Sequence, residues 1–238
     1  MKSHHVINDA KHPLVVGSFG SLQDLYECPR ADVIAACDLV EIRLDVLARD
    51  GWEPGQTPWS PLKGIPLLFT ARCRSEGGVI PLDARERSAM ILAVIDDAAA
   101  VDVEMASAEA MSDTLALLRQ SGIPWVASRH NFEKLPDLES WREWREQAHA
   151  KGAAVAKFAA MLHDAQDIVT LENFQQEKST IAVSTMGMGL LAPASRVRCA
   201  LAGSRLNYGY LGAAPTAPGQ WPALQLRAAI HAGKIPPL

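Results

Sequence analysis

PWVASRHNF (Pro124 to Phe132) is followed by DLESWREWREQAHA (Asp137 to Ala150) and then by AAVAKFAAM (Ala153 to Met161). The apolar runs Pro124–Ser128 and Ala153–Ala159 are short and nearly unbroken, as strands covered on both faces must be. Between them Leu138, Trp141, Trp144 and Ala148 fall on one broad helical stripe. Strand, helix and strand in this order form the crossover unit of a parallel sheet.

The same alternation extends in both directions. Further apolar runs lie at Leu14–Gly17, Leu39–Leu44, Pro66–Ala71, Val101–Met105, Thr180–Ser184 and Leu206–Tyr210. Helical period recurs over Asp83–Ala98, where Asp83 and Glu86 have the spacing of a capping box, and over Asp164–Gln175. Eight runs alternating with helices in a chain of 238 residues predict a (β/α)8 barrel built as a single domain. A doubly wound open sheet is the rival, but no G-x-G-x-x-G follows the first run. Residues 1–12 read as a flexible arm ahead of the barrel.

Composition agrees with a folded enzyme-sized domain. Hydrophobic residues make up 48% and charged residues 21%, which excludes disordered and collagenous classes. A net charge of −4 gives no footprint for nucleic acid. The four cysteines are scattered without a C-x-x-C pair, so reduced thiols are expected, with neither a disulfide framework nor a metal site. The first residues lack an apolar signal core, and the uncharged run Leu206–Leu226 is broken by prolines. A cytoplasmic protein without membrane contact is expected.

In such a barrel, chemistry belongs at the C-terminal strand ends. Polar residues interrupt the runs at that end: Glu41 and Arg43, Arg72 and Glu76, Asp102 and Glu104, Ser128 and His130, Lys157, Ser184 and Met186, then Arg196, Thr216 and Gln220. Lys157 is the most informative. An ammonium on an apolar strand tends to lose its proton, and a neutral amine attacks a carbonyl carbon to give a Schiff base. The bland alternative is a lysine reaching water or pairing with a carboxylate such as Glu104. His130, one strand earlier, supplies a group matched to proton transfer near neutral pH. Glu41 and Arg43, two apart, point to the same side of a strand and read as a buried ion pair. Arg72 and Arg196 offer guanidinium forks for a carboxylate or vicinal hydroxyls. With no glycine-rich phosphate loop before the last helix, a small hydroxylated carboxylate is favoured over a phosphosugar.

These residues carry a resemblance. EIRLD, TARCRSEGG, SRHNF, AKFAAM, STMGMG with a following SR, and GSRLNYGY with TAPGQ occur in the order and spacing of type I 3-dehydroquinate dehydratases, from about Val15 to about Gln220. The resemblance implies a (β/α)8 homodimer that converts 3-dehydroquinate to 3-dehydroshikimate through a Schiff base, with no metal or organic cofactor. It places the reaction in the shikimate pathway of aromatic amino acid biosynthesis or in quinate breakdown. It assigns Lys157 as the Schiff-base lysine, His130 as the general acid and base, and Glu76 as the carboxylate orienting that histidine. Glu41, Arg43 and Arg72 would hold substrate hydroxyls, and Arg196, Thr216 and Gln220 the carboxylate. Asp102 would support the histidine from behind.

The chain departs from the family in places. Thr216 and Gly17 stand where serines are usual, with Ser18 one place on and so expected to face the other way. Leu135 replaces a threonine, and the segment Leu190–Ser195 is apolar where the family is hydrophilic. Two other classes remain open at this point: another Schiff-base lyase such as an aldolase, and a non-catalytic sensor of quinate-like metabolites.

Overall fold

The computed structural model describes residues 6–237. Eight parallel strands, β1 (Leu14–Phe19), β2 (Leu39–Arg43), β3 (Leu67–Thr70), β4 (Ala100–Glu104), β5 (Trp125–Asn131), β6 (Val155–Met161), β7 (Ala182–Met188) and β8 (Leu206–Leu211), alternate with helices. They pair in the order β7-β6-β5-β4-β3-β2-β1-β8, giving a (β/α)8 barrel rather than a doubly wound sheet. Among the described residues no ladder joins β7 to β8. That seam is bridged just ahead of and at the start of β8, where Arg205 N–H donates to Val183 O at 2.9 Å and Leu206 N–H to Ser184 Oγ at 2.8 Å.

Alternation along the strands sorts the side chains. Leu14, Val16, Leu39, Leu68, Ala100, Val126, Val155 and Leu206 form an apolar plug inside the lower barrel. Outward residues meet the helices. Phe158 stacks on Trp141 at 4.8 Å between ring centroids and meets Phe174 edge-on at 5.4 Å, tying β6 to the helices Leu138–Ala150 and Ala165–Gln176. Burying Phe158 outward forces its neighbour Lys157 inward.

Three boundaries differ from the sequence reading. β5 continues to Asn131, so His130 sits on the strand itself, and β7 continues to Met188, so Ser184 lies mid-strand at the seam and not at the mouth. The capping box at Asp83 and Glu86 forms, but the helix spans Ala84–Ala93 only. Beyond it Asp97 accepts from Trp59 Nε1 at 2.8 Å, a tertiary bond that a continuing helix would forgo. Of the expected arm, residues 1–5 lie outside the described residues. The rest is held: Val6–Asp9 forms a helical turn, and Ile7, 3% exposed, packs under the barrel plug because its apolar side chain has that surface to cover.

Candidate active site

Lys157 is 3% exposed, and its Nζ donates to Asp102 Oδ2 at 2.9 Å. Burial and the nearby Arg72 charge lower its amine below the ordinary lysine range despite that carboxylate. Burial alone would push Asp102 up. Arg72 and Lys157 outweigh it and hold Asp102 ionised, well below the usual carboxylate range. The lysine's partner is therefore Asp102 and not Glu104.

Glu104 belongs to a different pair. Arg72 Nη1 lies 2.9 Å from both Asp102 Oδ1 and Glu104 Oε1 and donates to Ser128 Oγ at 2.7 Å, while Ser128 donates to Asp102 at 2.6 Å. Arg87, reaching in from the helix Ala84–Ala93, meets the other oxygen of Glu104. Each buried charge here has an opposite partner and a hydrogen bond, the condition under which buried ions are tolerated.

The expected Glu41–Arg43 pair does not form. Arg43 turns at the strand end to a bidentate bond with Asp45, at 2.8 and 2.7 Å, and its Nη2 donates to Gly77 O at 3.1 Å. Glu41 instead accepts from Ser18 Oγ at 2.6 Å and from Thr70 Oγ1 at 2.9 Å. Residues i and i+2 share a face, but a longer side chain at the strand end finds a planar partner more easily beyond it. Ser18 thus faces the interior, following Leu14 and Val16, and a Cβ on Gly17 would meet Leu211 and Cys37 on the outer side. The one-place displacement expected of Ser18 is corrected accordingly.

His130 lies beside Glu76, from the loop after β3. Glu76 Oε2 is 2.9 Å from His130 Nδ1 and accepts the His130 backbone N–H at 2.9 Å. Burial, then the Arg72 and Lys157 charges, push the imidazole well below its ordinary value, so it is neutral near pH 7. Burial raises Glu76 to about 7. With Nδ1–H given to Glu76, Nε2 is the nitrogen left as a base. Asp102 makes no hydrogen bond to the histidine. It serves the lysine and Arg72.

Arg196 is 2% exposed and has no carboxylate partner among the described residues. Its guanidinium is held by backbone carbonyls, Gly187 O at 3.3 Å and Tyr208 O at 2.5 Å, and burial lowers it to about 10. An unpaired buried cation opening on a cavity is a site for an anion. Thr216 and Gln220 face it from the loop after β8, where Gln220 Oε1 accepts from Thr216 Oγ1 at 2.8 Å and from its N–H at 2.9 Å. That loop is docked by Gly189 N–H to Pro218 O at 3.1 Å. Of the departures, Ser195 is buried and caps the end of β7 by accepting from Gly187 N–H at 3.2 Å, Leu190 is exposed, and Leu135 packs on the outer core.

A cavity at the mouth of the barrel brings together Glu41, Arg43, Arg72, Glu76, His130, Lys157, Arg196, Thr216 and Gln220. Asp102 sits beneath it. Sequence reasoning missed Asp45, Arg87, Phe132, Met188 and Tyr208. Asp45 was visible in EIRLD, and Arg87 shares the buried face of its helix with Met90 and Ile91. Nothing in the local sequence set Met188 or Tyr208 apart from other apolar strand residues, or Phe132, just past the end of β5, apart from an ordinary loop aromatic. Among the described residues no cluster of His, Cys, Asp and Glu could hold a metal ion, no helix is long and apolar enough to cross a membrane, and the four cysteines are free thiols.

The chain can be set beside known proteins. It is 33% identical over 216 residues to the 3-dehydroquinate dehydratase of Shouchella clausii, covering 84% of this chain and 83% of that one. The 3-dehydroquinate dehydratase of Methanococcoides burtonii is 29% identical, covering 93% of this chain and 94% of that one. The crystal structure of 3-dehydroquinate dehydratase from Geobacillus kaustophilus superposes with a TM-score of 0.82 at 29% identity, covering 94% of this chain and 91% of that one. The model of the type I 3-dehydroquinase family matches residues 22–235, nearly the whole barrel together with every residue gathered around the cavity. This chain belongs to the type I 3-dehydroquinase family of hydro-lyases.

Proposed function

We propose that the chain dehydrates 3-dehydroquinate to 3-dehydroshikimate through a Schiff base on Lys157. The observation that carries the reading is that Lys157, buried and with its amine lowered, opens on the same cavity as the unpaired nitrogen of a neutral His130.

In its neutral form the amine of Lys157 adds to the ketone carbon and, with one proton taken up from solvent and given back when the imine is finally hydrolysed, expels water to leave a protonated imine. That cation is an electron sink, so His130 Nε2 can take the weakly acidic proton on the adjacent carbon and leave a neutral enamine. The enamine expels the beta hydroxyl, to which His130 returns the proton, so a second water departs. Hydrolysis of the conjugated imine consumes one water and restores the amine, for a net loss of one water. Glu76 keeps Nδ1 protonated and Nε2 aimed at the ring. Arg196, with Thr216 and Gln220, takes the carboxylate, and Glu41, Arg43 and Arg72 face the hydroxyls. Fixing the ring at both ends can lower the barrier by about 7 kcal/mol or more.

Borohydride added during turnover tests this. It should inactivate the enzyme and leave a reduced adduct on Lys157, seen by peptide mass spectrometry. No adduct, or one on another lysine, overturns the Schiff-base assignment. The reading also carries a homodimer and a cytoplasmic location. Light scattering that gives the mass of one chain overturns the first, and fractionation that places the protein outside the cytoplasm overturns the second.

A further inference from the structure

Tyr208, on the inward face of β8, has no part in the steps above, yet its ring centroid lies 4.2 Å from Lys157 Nζ. The residue is 4% exposed, and its hydroxyl has no hydrogen-bond partner among the described residues. A buried tyrosine usually bonds its hydroxyl. A ring kept here with that group unpaired is being used for its face. Lys157 Nζ thus lies against two sources of negative potential, the Asp102 carboxylate on β4 and the π-face on β8. The other charged or titratable groups around it are Arg72 from just past β3, Glu41 from β2 and His130 from β5.

The two sources respond differently as the nitrogen changes. An ammonium has three N–H donors and a protonated imine has one, so most of the hydrogen bonding available to Asp102 is lost on going from one to the other. A ring face attracts a cation without regard to how many N–H bonds it carries. It also constrains the plane in which the imine can lie.

We propose that Tyr208 is a positioning residue that seats the Lys157 nitrogen in both its cationic forms, the ammonium of the free enzyme and the protonated imine of the covalent intermediates. The second half rests on the Schiff-base reading. The first half does not.

The test replaces Tyr208 by Leu, by Phe and by 3,4,5-trifluorophenylalanine, which keeps the ring's shape and weakens its face. Two quantities are measured in each: the pH-dependent acylation of Lys157 without substrate, which reports its pKa, and the rate of borohydride trapping with 3-dehydroquinate. The Leu and trifluoro variants should show a Lys157 pKa lowered by about 0.5 to 1 and trapping slowed roughly 3- to 30-fold. Phe should restore both to within about threefold of the natural protein, since it loses only the unpaired hydroxyl. If Leu fails to fold, the Phe and trifluoro pair decides alone. An unmoved Lys157 pKa in the trifluoro variant, or a Phe variant as impaired as it, overturns the proposal. Absence of trapping in the natural protein would instead remove the Schiff base, and the acylation arm would still decide whether the ring seats the ammonium.

Discussion

One carboxylate oxygen, Glu76 Oε2, accepts the backbone N–H of His130 at 2.9 Å and lies 2.9 Å from its ring Nδ1, which donates to it whenever Glu76 is ionised. The strand position and the tautomer of the histidine are therefore set by the same atom.

A pH dependence follows from that contact. Burial raises Glu76 to about 7, so its negative charge, which makes the imidazole a stronger base, disappears as pH falls through that value. Turnover should decline on the acid side with a midpoint near 7, and Glu76→Gln should abolish that limb while lowering the plateau about 10- to 100-fold. The stability sign is opposite to that of an ordinary ion-paired acid. Because the folded value lies above the ordinary 4.5, Glu76 contributes stability at low pH that is lost as pH rises towards 7. Glu76→Gln should therefore gain on the natural protein in melting temperature between pH 5 and pH 8, as scanning calorimetry can show.

Asp102 answers two cations, Arg72 and Lys157. Asp102→Asn would leave both undercompensated in a dry barrel, and a loss of about 3–5 kcal/mol is expected in urea unfolding. Since its folded value lies well below the ordinary 3.8, the stability it provides is present above that pH and is lost as pH falls below it. The natural protein should lose more stability than the Asn variant on acidification from pH 5 to pH 3.

His130 and Arg196 should separate in kinetics. His130→Ala leaves lysine and anion site in place, so trapping by borohydride should persist while kcat falls about 100-fold or more. Arg196→Ala removes a charge-assisted fork worth roughly 1.5–3 kcal/mol, so KM should rise about tenfold or more, with a smaller fall in kcat. Near-native kcat in the His130 variant would make a carboxylate the base.

Gly219 has φ +71°, and a Cβ there would overlap Gly189 O. Gly219→Ala should lift the loop that carries Thr216 and Gln220 off the end of β7. Steady-state kinetics should show a raised KM, and calorimetry a small change in melting temperature, because the loop covers little of the core.

The strands were legible in the sequence because burial on both faces leaves an unbroken apolar run. Their functional ends were not. Ser128 and Ser184 look like terminators, yet β5 and β7 run on through Arg129 to Asn131 and through Thr185 to Met188, because a strand end that faces a cavity no longer needs apolar residues. Lys157, His130 and Arg196 could be picked out because each is a charged or basic group where burial disfavours one. Partners were harder. Arg43 could choose between Glu41 and Asp45, and only geometry shows the second. Arg87 comes from outside the barrel, which no strand pattern reveals.

Among the described residues no ladder joins β7 to β8; that seam is bridged at Arg205 and Leu206, and at the mouth by Arg196 to Tyr208 O and Gly189 N–H to Pro218 O. Arg196 after β7 and Thr216 and Gln220 after β8, proposed above to take the carboxylate, stand on the two sides of that seam. Lys157, His130 and Asp102 stand on the continuously laced arc from β4 to β6. The proposed grip and the proposed reaction thus sit on parts of the barrel that are bonded differently, one at a seam and the other along continuous ladders. Substitutions in the loops on either side of the seam should therefore shift affinity more than they shift the mutual spacing of the lysine, histidine and aspartate.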